Sequence, residues 1–172
     1  ADHESNVLSG TIAADGSLVL KLYFNLNEFE VSYEYTGEVP EGAPEVPAAE
    51  QVKADATVTV AEAPILEGYT FSGWTTTDAT VEDGSFTMPA KDVKLTGSWI
   101  ANDDTQYKVE YYHEKIEGGY VLNASDVRQG TTATEASVTE ADKADRENGK
   151  YTFDADHESN VLSGTIAADG SL

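Results

Sequence analysis

The chain has 172 residues, of which 32 are acidic and 10 are basic, so its net charge is −22; 40% of the residues are hydrophobic. That hydrophobic fraction is large enough for folded cores, which argues against wholesale disorder. The negative charge repels nucleic acid and anionic lipid, so neither is expected as a partner. The absence of cysteine excludes disulfides, zinc–thiolate sites and thiol nucleophiles.

The chain contains a long internal duplication. Residues 1–18 and residues 155–172 both read ADHESNVLSGTIAADGSL, so the two copies are offset by 155 − 1 = 154 residues. An identity of this length without a mismatch indicates a tandem repeat with that period. We therefore expect the chain to begin and end inside a repeat, and one period to hold every distinct folding unit.

Short β-strands are predicted along most of the chain. The first follows the turn pair Asp15-Gly16 and covers residues 17–24. The segments that alternate apolar and polar residues, as half-buried strands do, are 30–35, 56–60, 69–71, 93–99 and 107–112. A short helix is predicted over residues 139–148, which Gly149 would end.

The pattern divides one period into two small modules. The first runs over residues 28–101, and residues 102–105 form a short polar linker. The second begins at residue 106 and reaches Leu172, so residues 106–172 are expected to lack the last strand of that module. Val19–Asn27 is expected to supply this strand in the next copy. Residues 1–27 are then the C-terminal part of the second module of the preceding repeat.

Aromatic residues are the strongest candidates for core and binding positions. We expect Trp74 and Trp99 to be buried, because a buried tryptophan anchors a small core. Phe71 and Phe153 each end a Tyr-Thr-Phe triplet and are assigned to the cores as well. The tyrosines on predicted strands are candidates for contact with a ligand: Tyr33, Tyr35, Tyr111 and Tyr112.

Residues for catalysis or cofactor binding do not form a recognisable pattern. The histidines form no His-x-x-x-His pair, and no serine nucleophile elbow accompanies them. No glycine-rich loop that could cradle phosphate precedes a helix, and no Asp-x-Asp-x-Asp-Gly loop supports calcium binding. No apolar run approaches the roughly 20 residues that span a bilayer. We therefore predict no enzyme activity, no cofactor, no metal site and no membrane insertion.

Several motifs resemble the repeats of Gram-positive surface proteins. The first module carries EGYTFSGW at residues 67–74, FTMPAKDV at 86–93 and GSW at 97–99, and it is similar to internalin B-repeats and streptococcal SHIRT domains. The second module, with YKVEYY at 107–112, resembles mucin-binding-protein (MucBP) repeats. The resemblance implies a mainly β fold with two small β-grasp-like modules per repeat, strung end to end outside a bacterial cell wall.

Two functions are compatible with these features. One is a repeated stalk or spacer of a wall-anchored adhesin or fibre, which projects a distal domain from the cell, because repetition adds length to a rod. The other is a binding module in each repeat, which recognises mucin glycans or a host protein and gains affinity by avidity. In both cases we expect self-association, head to tail along the array or by strand complementation between chains.

Overall fold

The structure is a computed structural model that describes residues 3–172 and is built from short β-strands. The described residues form eleven strands and no helix, which confirms the prediction of a mainly β chain. The strands are β1 (Glu28–Tyr35), β2 (Glu50–Lys53), β3 (Thr57–Thr59), β4 (Tyr69–Phe71), β5 (Ser85–Thr87), β6 (Val93–Gly97), β7 (Trp99–Ala101), β8 (Thr105–Glu114), β9 (Tyr120–Gly130), β10 (Glu135–Ser137) and β11 (Ser163–Thr165).

The chain folds into two compact units that interleave along the sequence. The first unit contains the described residues up to Tyr33, together with Pro47–Val60 and Thr76–Leu95. The second contains Glu34–Val46, Ala61–Thr75 and Thr96–Leu172. Each unit therefore draws on segments that are distant in sequence.

The first unit contains the antiparallel pairs β1–β2 and β3–β5. β1 is the central strand of a sheet with the order β2-β1-β6. Because side chains alternate between the two faces of a strand, one face of each pair can be apolar. The core residues of this unit, all at most 4% exposed, are Val31, Val58, Phe86, Met88, Val93 and Leu95.

The second unit contains the antiparallel pairs β4–β7, β8–β9 and β10–β11. Its longest element is the β8–β9 hairpin, whose turn contains Gly118 and Gly119, both with positive φ. Glycine adopts that conformation without the steric cost that other residues meet. Along the hairpin, Asn123 of β9 has no opposite residue, so β9 bulges and β8 keeps a regular alternation.

The helix predicted over residues 139–148 is not formed, so that prediction was wrong. The segment consists of turns, in which the Asp142 N–H donates to the Thr139 carbonyl at 3.1 Å. The three residues from Glu147 to Gly149 then have φ values of 50°, 58° and 85°. An α-helix has negative φ throughout, so the chain leaves any helical path before Gly149.

The two copies of the duplicated 18-residue string lie in different environments. In the second copy, β11 pairs with β10, and Ile166 is 2% exposed. In the first copy the corresponding residues are not in a strand, and Ile12 is 85% exposed. Because the two strings are identical, tertiary contacts and not local preference determine whether the strand forms.

This pair of isoleucines provides a matched prediction. We expect Ile166→Ala to lower the free energy of unfolding by about 2–5 kcal/mol, because it removes a buried side chain and leaves a cavity. The same change at Ile12 should alter it by no more than about 0.5 kcal/mol, because that side chain is exposed. Urea unfolding at low protein concentration measures both values. Equal effects would contradict the different burial of the two copies.

Candidate functional site

Four aromatic rings of the second unit form a closed cluster. Trp74 and Trp99 are 8% and 9% exposed, and the ring of Phe71 lies 4.8 and 4.9 Å from theirs, centroid to centroid. Tyr35 stacks on Trp74 at 5.5 Å. Gly97 allows the cluster to close, because a Cβ at this position would overlap the ring of Phe71. Tyr35, which is half-buried, therefore packs against both buried tryptophans.

The other predicted aromatic residues lie in separate places. Tyr33 is half-buried on β1 in the first unit. In the second unit Tyr112 is 54% exposed, and its hydroxyl donates to Glu110 at 2.7 Å. Tyr111 is 8% exposed and faces the opposite side of β8. Within the second unit, the tyrosines thus do not form one common binding face.

Both arginines of the chain contact Tyr111. Arg128, on β9, donates from Nη2 to the Tyr111 hydroxyl at 3.1 Å. The guanidinium carbon of Arg146 lies 3.4 Å from the centroid of the same ring, where the negative ring face attracts a cation. The Tyr111 hydroxyl also lies 2.8 Å from Asp142 and 3.0 Å from Asp126, and it can donate to either.

Asp142 is surrounded by hydrogen-bond donors. Arg128 donates to both of its carboxylate oxygens, at 2.9 and 2.5 Å. Thr139 donates its backbone N–H at 2.7 Å and its hydroxyl at 2.9 Å. The Asp142 side chain is only 8% exposed. Bidentate pairs of this kind are among the strongest charge-assisted hydrogen bonds, so this pair fixes the turn at residues 139–142 against β9.

These bonds shift the pKa values of the cluster. The hydrogen bonds from Arg128 hold the pKa of Asp142 far below its ordinary value, and Asp142 in turn raises the pKa of Arg128. Burial, followed by the hydrogen bonds to Asp142 and Asp126, raises the pKa of Tyr111. At neutral pH the ion pair is fully charged and the phenol is neutral. Each of these groups is hydrogen-bonded to another member of the cluster.

His113 lies two residues beyond Tyr111 on the same face of β8 and is 6% exposed. Its ring stacks on Tyr151 with 3.9 Å between centroids, and Nδ1 lies 3.5 Å from a Glu147 carboxylate oxygen. Within residues 3–172, Nε2 of His113 has no hydrogen-bond partner. Buried polar atoms of a finished core are almost always bonded. His113 is therefore a buried side chain with one ring nitrogen that is not hydrogen-bonded.

The inner face of β8 forms one wall of an open groove of about 1170 Å³. Val109, Tyr111 and His113 lie along this wall, and residues from the segment 142–164 form the wall opposite. Phe153, which is half-buried, belongs to that second wall. Aromatic and aliphatic side chains line the groove together with charged ones such as Asp142, Arg146 and Lys150.

β8 has one paired edge and one largely open edge. β9 pairs with the first edge, and no other strand of the described chain pairs with β8. On the second edge, the Lys108 N–H donates to the Leu172 carbonyl at 2.8 Å. Because alternate residues of an antiparallel strand direct their backbone groups to opposite edges, Glu110, Tyr112 and Glu114 direct theirs to this second edge. The groove therefore lies beside a strand edge that can accept another strand.

Within the described chain, no group of three or more histidine, aspartate or glutamate side chains is placed to hold a metal ion.

In residues 3–172 there is no helix with the length and apolar character needed to cross a membrane.

Comparison with protein families identifies one segment of the chain. Residues 29–97 match the Listeria-Bacteroides repeat domain. This is a repeat family of bacterial surface proteins, which indicates an extracellular module. The match covers β1 to β6 and includes three of the four clustered rings. No curated protein and no solved structure gives a significant match to the chain. The predicted similarity to bacterial surface repeats is confirmed at this level, whereas the closer resemblance to internalin and MucBP modules stays a prediction.

The ion pair of Arg128 and Asp142 was not predicted from the sequence, because neither β9 nor the turn at residues 139–142 was predicted. Two signals were available. The Gly118-Gly119 pair follows a predicted strand, as in a hairpin. The chain also has only two arginines among 32 acidic residues, so each arginine has many possible partners.

Proposed function

We propose that the chain is a repeated stalk segment of a bacterial surface protein, which projects a distal domain and has no enzymatic role of its own. Two observations support this proposal. The perfect duplication at an offset of 154 residues indicates an array, and residues 29–97 match a repeat family of bacterial surface proteins. Arrays of this kind gain length with each added repeat.

The bonding of Asn102 is the observation that favours a stalk over a flexible string. Its N–H donates to the Gly68 carbonyl at 2.9 Å, and its own carbonyl accepts from the Thr132 N–H at 2.9 Å. Its side-chain oxygen accepts from the Thr70 hydroxyl at 2.7 Å. Residues 102–105 are therefore anchored on both sides within the second unit. A segment that is fixed inside one compact unit adds no slack to an array, as a semi-rigid rod requires.

The high negative charge is compatible with this role. Like charges on successive repeats repel, which disfavours collapse of the array at low salt. At an ionic strength of about 0.1 M the screening length falls to about 10 Å, so charge alone would not keep an array extended. An array that stays extended at moderate salt must therefore be held by packing and hydrogen bonds and not by charge repulsion alone.

Small-angle X-ray scattering on proteins of one, two and three 154-residue periods tests the proposal, at low and at moderate salt. We expect a rod-like profile whose maximum dimension grows in proportion to the number of periods at both salt concentrations. A variant with a flexible Gly-Ser insert between successive periods is the matched control and should bend freely. A compact or freely bending particle without the insert would contradict the stalk.

The exposed face of the β8–β9 hairpin favours a second candidate, a binding module in each repeat. Tyr112 is 54% exposed, and Leu122, opposite it on β9, is 45% exposed. Val127 on the same hairpin is 58% exposed. Such a patch could contact a mucin glycan or a host protein. Binding of mucin that Tyr112→Ser abolishes, while the scattering profile stays unchanged, would support this function.

A further inference from the structure

The residues before Leu172 approach β8 as the start of a parallel strand. The Leu172 carbonyl accepts the Lys108 N–H at 2.8 Å. Two residues before Leu172, Gly170 lies against Gln106. A Cβ atom added to Gly170 would be 3.0 Å from the carbonyl oxygen of Gln106. Residue numbers thus increase in the same direction on both segments. In a parallel ladder, the bond from the Lys108 N–H to the Leu172 carbonyl places Leu172 opposite Tyr107. A residue that follows Leu172 would then lie opposite Lys108.

The duplicated string identifies the segment that fits beyond this point. Leu18 and Leu172 end identical strings of 18 residues, and Val19–Phe24 follows Leu18. A Leu18 placed where Leu172 lies would therefore carry Val19–Phe24 along the open edge of β8. In this register the opposed pairs are Leu20 with Val109, Leu22 with Tyr111, and Phe24 with His113.

This register is consistent with the exposure of both strands. Leu20, Leu22 and Phe24 are 54%, 63% and 90% exposed, although all three are large and apolar. The β8 residues opposite them lie on the inner face that lines the groove. On the outer face, Lys21 falls opposite Glu110, and opposite charges on neighbouring strands attract. A shift of one residue would place Lys21 in the groove and the apolar residues in solvent.

We propose that the groove beside β8 is the docking site for residues 3–24 of a second copy of this chain. Residues 3–18 of that copy replace residues 157–172, and Val19–Phe24 extends beyond them as an added parallel strand. The exchanged strings are identical, so their contacts are equivalent before and after exchange. The gain comes from the added strand, which buries three apolar side chains and bonds the open edge. This inference holds whether the array is a stalk or a set of binding modules.

The first test measures assembly by light scattering over a range of chain concentrations. We expect oligomers that grow with concentration, and a monomer for the double variant Leu20→Glu, Leu22→Glu. The matched control, Lys21→Ser with Tyr23→Ser, changes the outer face of the same segment and should still assemble. All four side chains are exposed in the free chain, so neither variant should alter the circular dichroism spectrum. A monomer at every concentration, or equal assembly of both variants, would overturn the proposal.

The second test fills the groove within one molecule. A chain extended after Leu172 by the nine residues of Val19–Asn27 should stay monomeric, because its own strand occupies the edge. We expect a melting temperature higher by at least about 5 °C. Exchange of the Glu110 and Tyr112 amide hydrogens should slow by at least about tenfold. An extended chain with the melting temperature and exchange rates of the original would show that the groove does not take this strand.

Discussion

Replacing Asp142 by alanine is expected to lower the free energy of unfolding by about 2–4 kcal/mol, because it leaves the partly buried guanidinium of Arg128 and two donors of Thr139 without their acceptor. Arg128 would lose two hydrogen bonds, and Thr139 would lose the acceptor of its N–H and its hydroxyl. The turn that forms part of the groove wall would lose its attachment to β9. Urea unfolding, followed by circular dichroism, measures the change.

Asp126→Ala is the matched control. Asp126 also lies beside Arg128, at 3.5 Å, but its side chain is 54% exposed. Exposed ion pairs contribute at most about 1 kcal/mol, so this variant should remain close to the original chain. Similar losses for the two variants would contradict a central role for the buried pair.

The low pKa of Asp142 makes the same variant informative in acid. Its pKa in the folded chain is lowered from an ordinary value of 3.8, so the folded state holds the charged form more strongly than the unfolded state does. The resulting stability is complete above the ordinary value and is lost as the pH falls toward the lowered one. Between about pH 5 and pH 2 the original chain should therefore lose more stability than Asp142→Ala. Parallel curves would show that another carboxylate controls the acid response.

The sequence was a good guide where side-chain pattern decides the structure. Alternating segments became β1, β3, β4, β6 and β8. The prediction of a strand at 17–24 was wrong, because that segment forms only an isolated bridge, from Lys21 to Val7. The identical strings show where pattern fails. Ile12 and Ile166 have the same neighbours in sequence, but only Ile166 has β10 and its flanking residues beside it. Partners remote in sequence decide burial there, and no local signal contains them.

The candidate site was missed for a related reason. Thr139 and Asp142 carry the signal of a helix start, because each bonds the other's backbone N–H. The segment nevertheless forms turns, since Arg128 also binds the carboxylate and the left-handed residues from Glu147 onward reverse the chain. The hydrogen bonds of a helix start are therefore present at Thr139 and Asp142. No helix follows, because the bond from Arg128 and the left-handed residues hold the segment in turns. The four-ring cluster was easier to anticipate in part, because large aromatic residues seldom stay exposed in a small core.

The ion pair bears directly on the proposed docking of a strand in the groove. Arg128 and Asp142 fix the position of the turn at residues 139–142, so the groove is already shaped before a strand enters it. A preformed groove lowers the ordering cost of docking. The exposed segment Val19–Phe24 is apolar on the side that would face this groove. Disruption of the ion pair should therefore weaken both folding and strand docking.

Trp99→Ala is expected to lower the free energy of unfolding by about 3–5 kcal/mol, the usual effect of truncating a large buried aromatic residue. Trp99 is 9% exposed and lies within 5.8 Å of Tyr35 and 4.9 Å of Phe71, measured between ring centroids. Its removal leaves a cavity at the centre of the four-ring cluster. Urea unfolding monitored by the fluorescence of Trp74, the other tryptophan of the chain, measures the loss.

The adjacent residue on β7 provides the control for this prediction. Ile100 points to the opposite face of the strand and is 61% exposed, so Ile100→Ala should change the free energy of unfolding by no more than about 0.5 kcal/mol. The two variants truncate neighbouring side chains of β7 that point to opposite faces of the strand. If the aromatic cluster is the core that holds β4 against β7, the two losses must differ by several-fold. Equal losses would mean that β7 is stabilised by its backbone pairing with β4, and that the cluster contributes little to the fold.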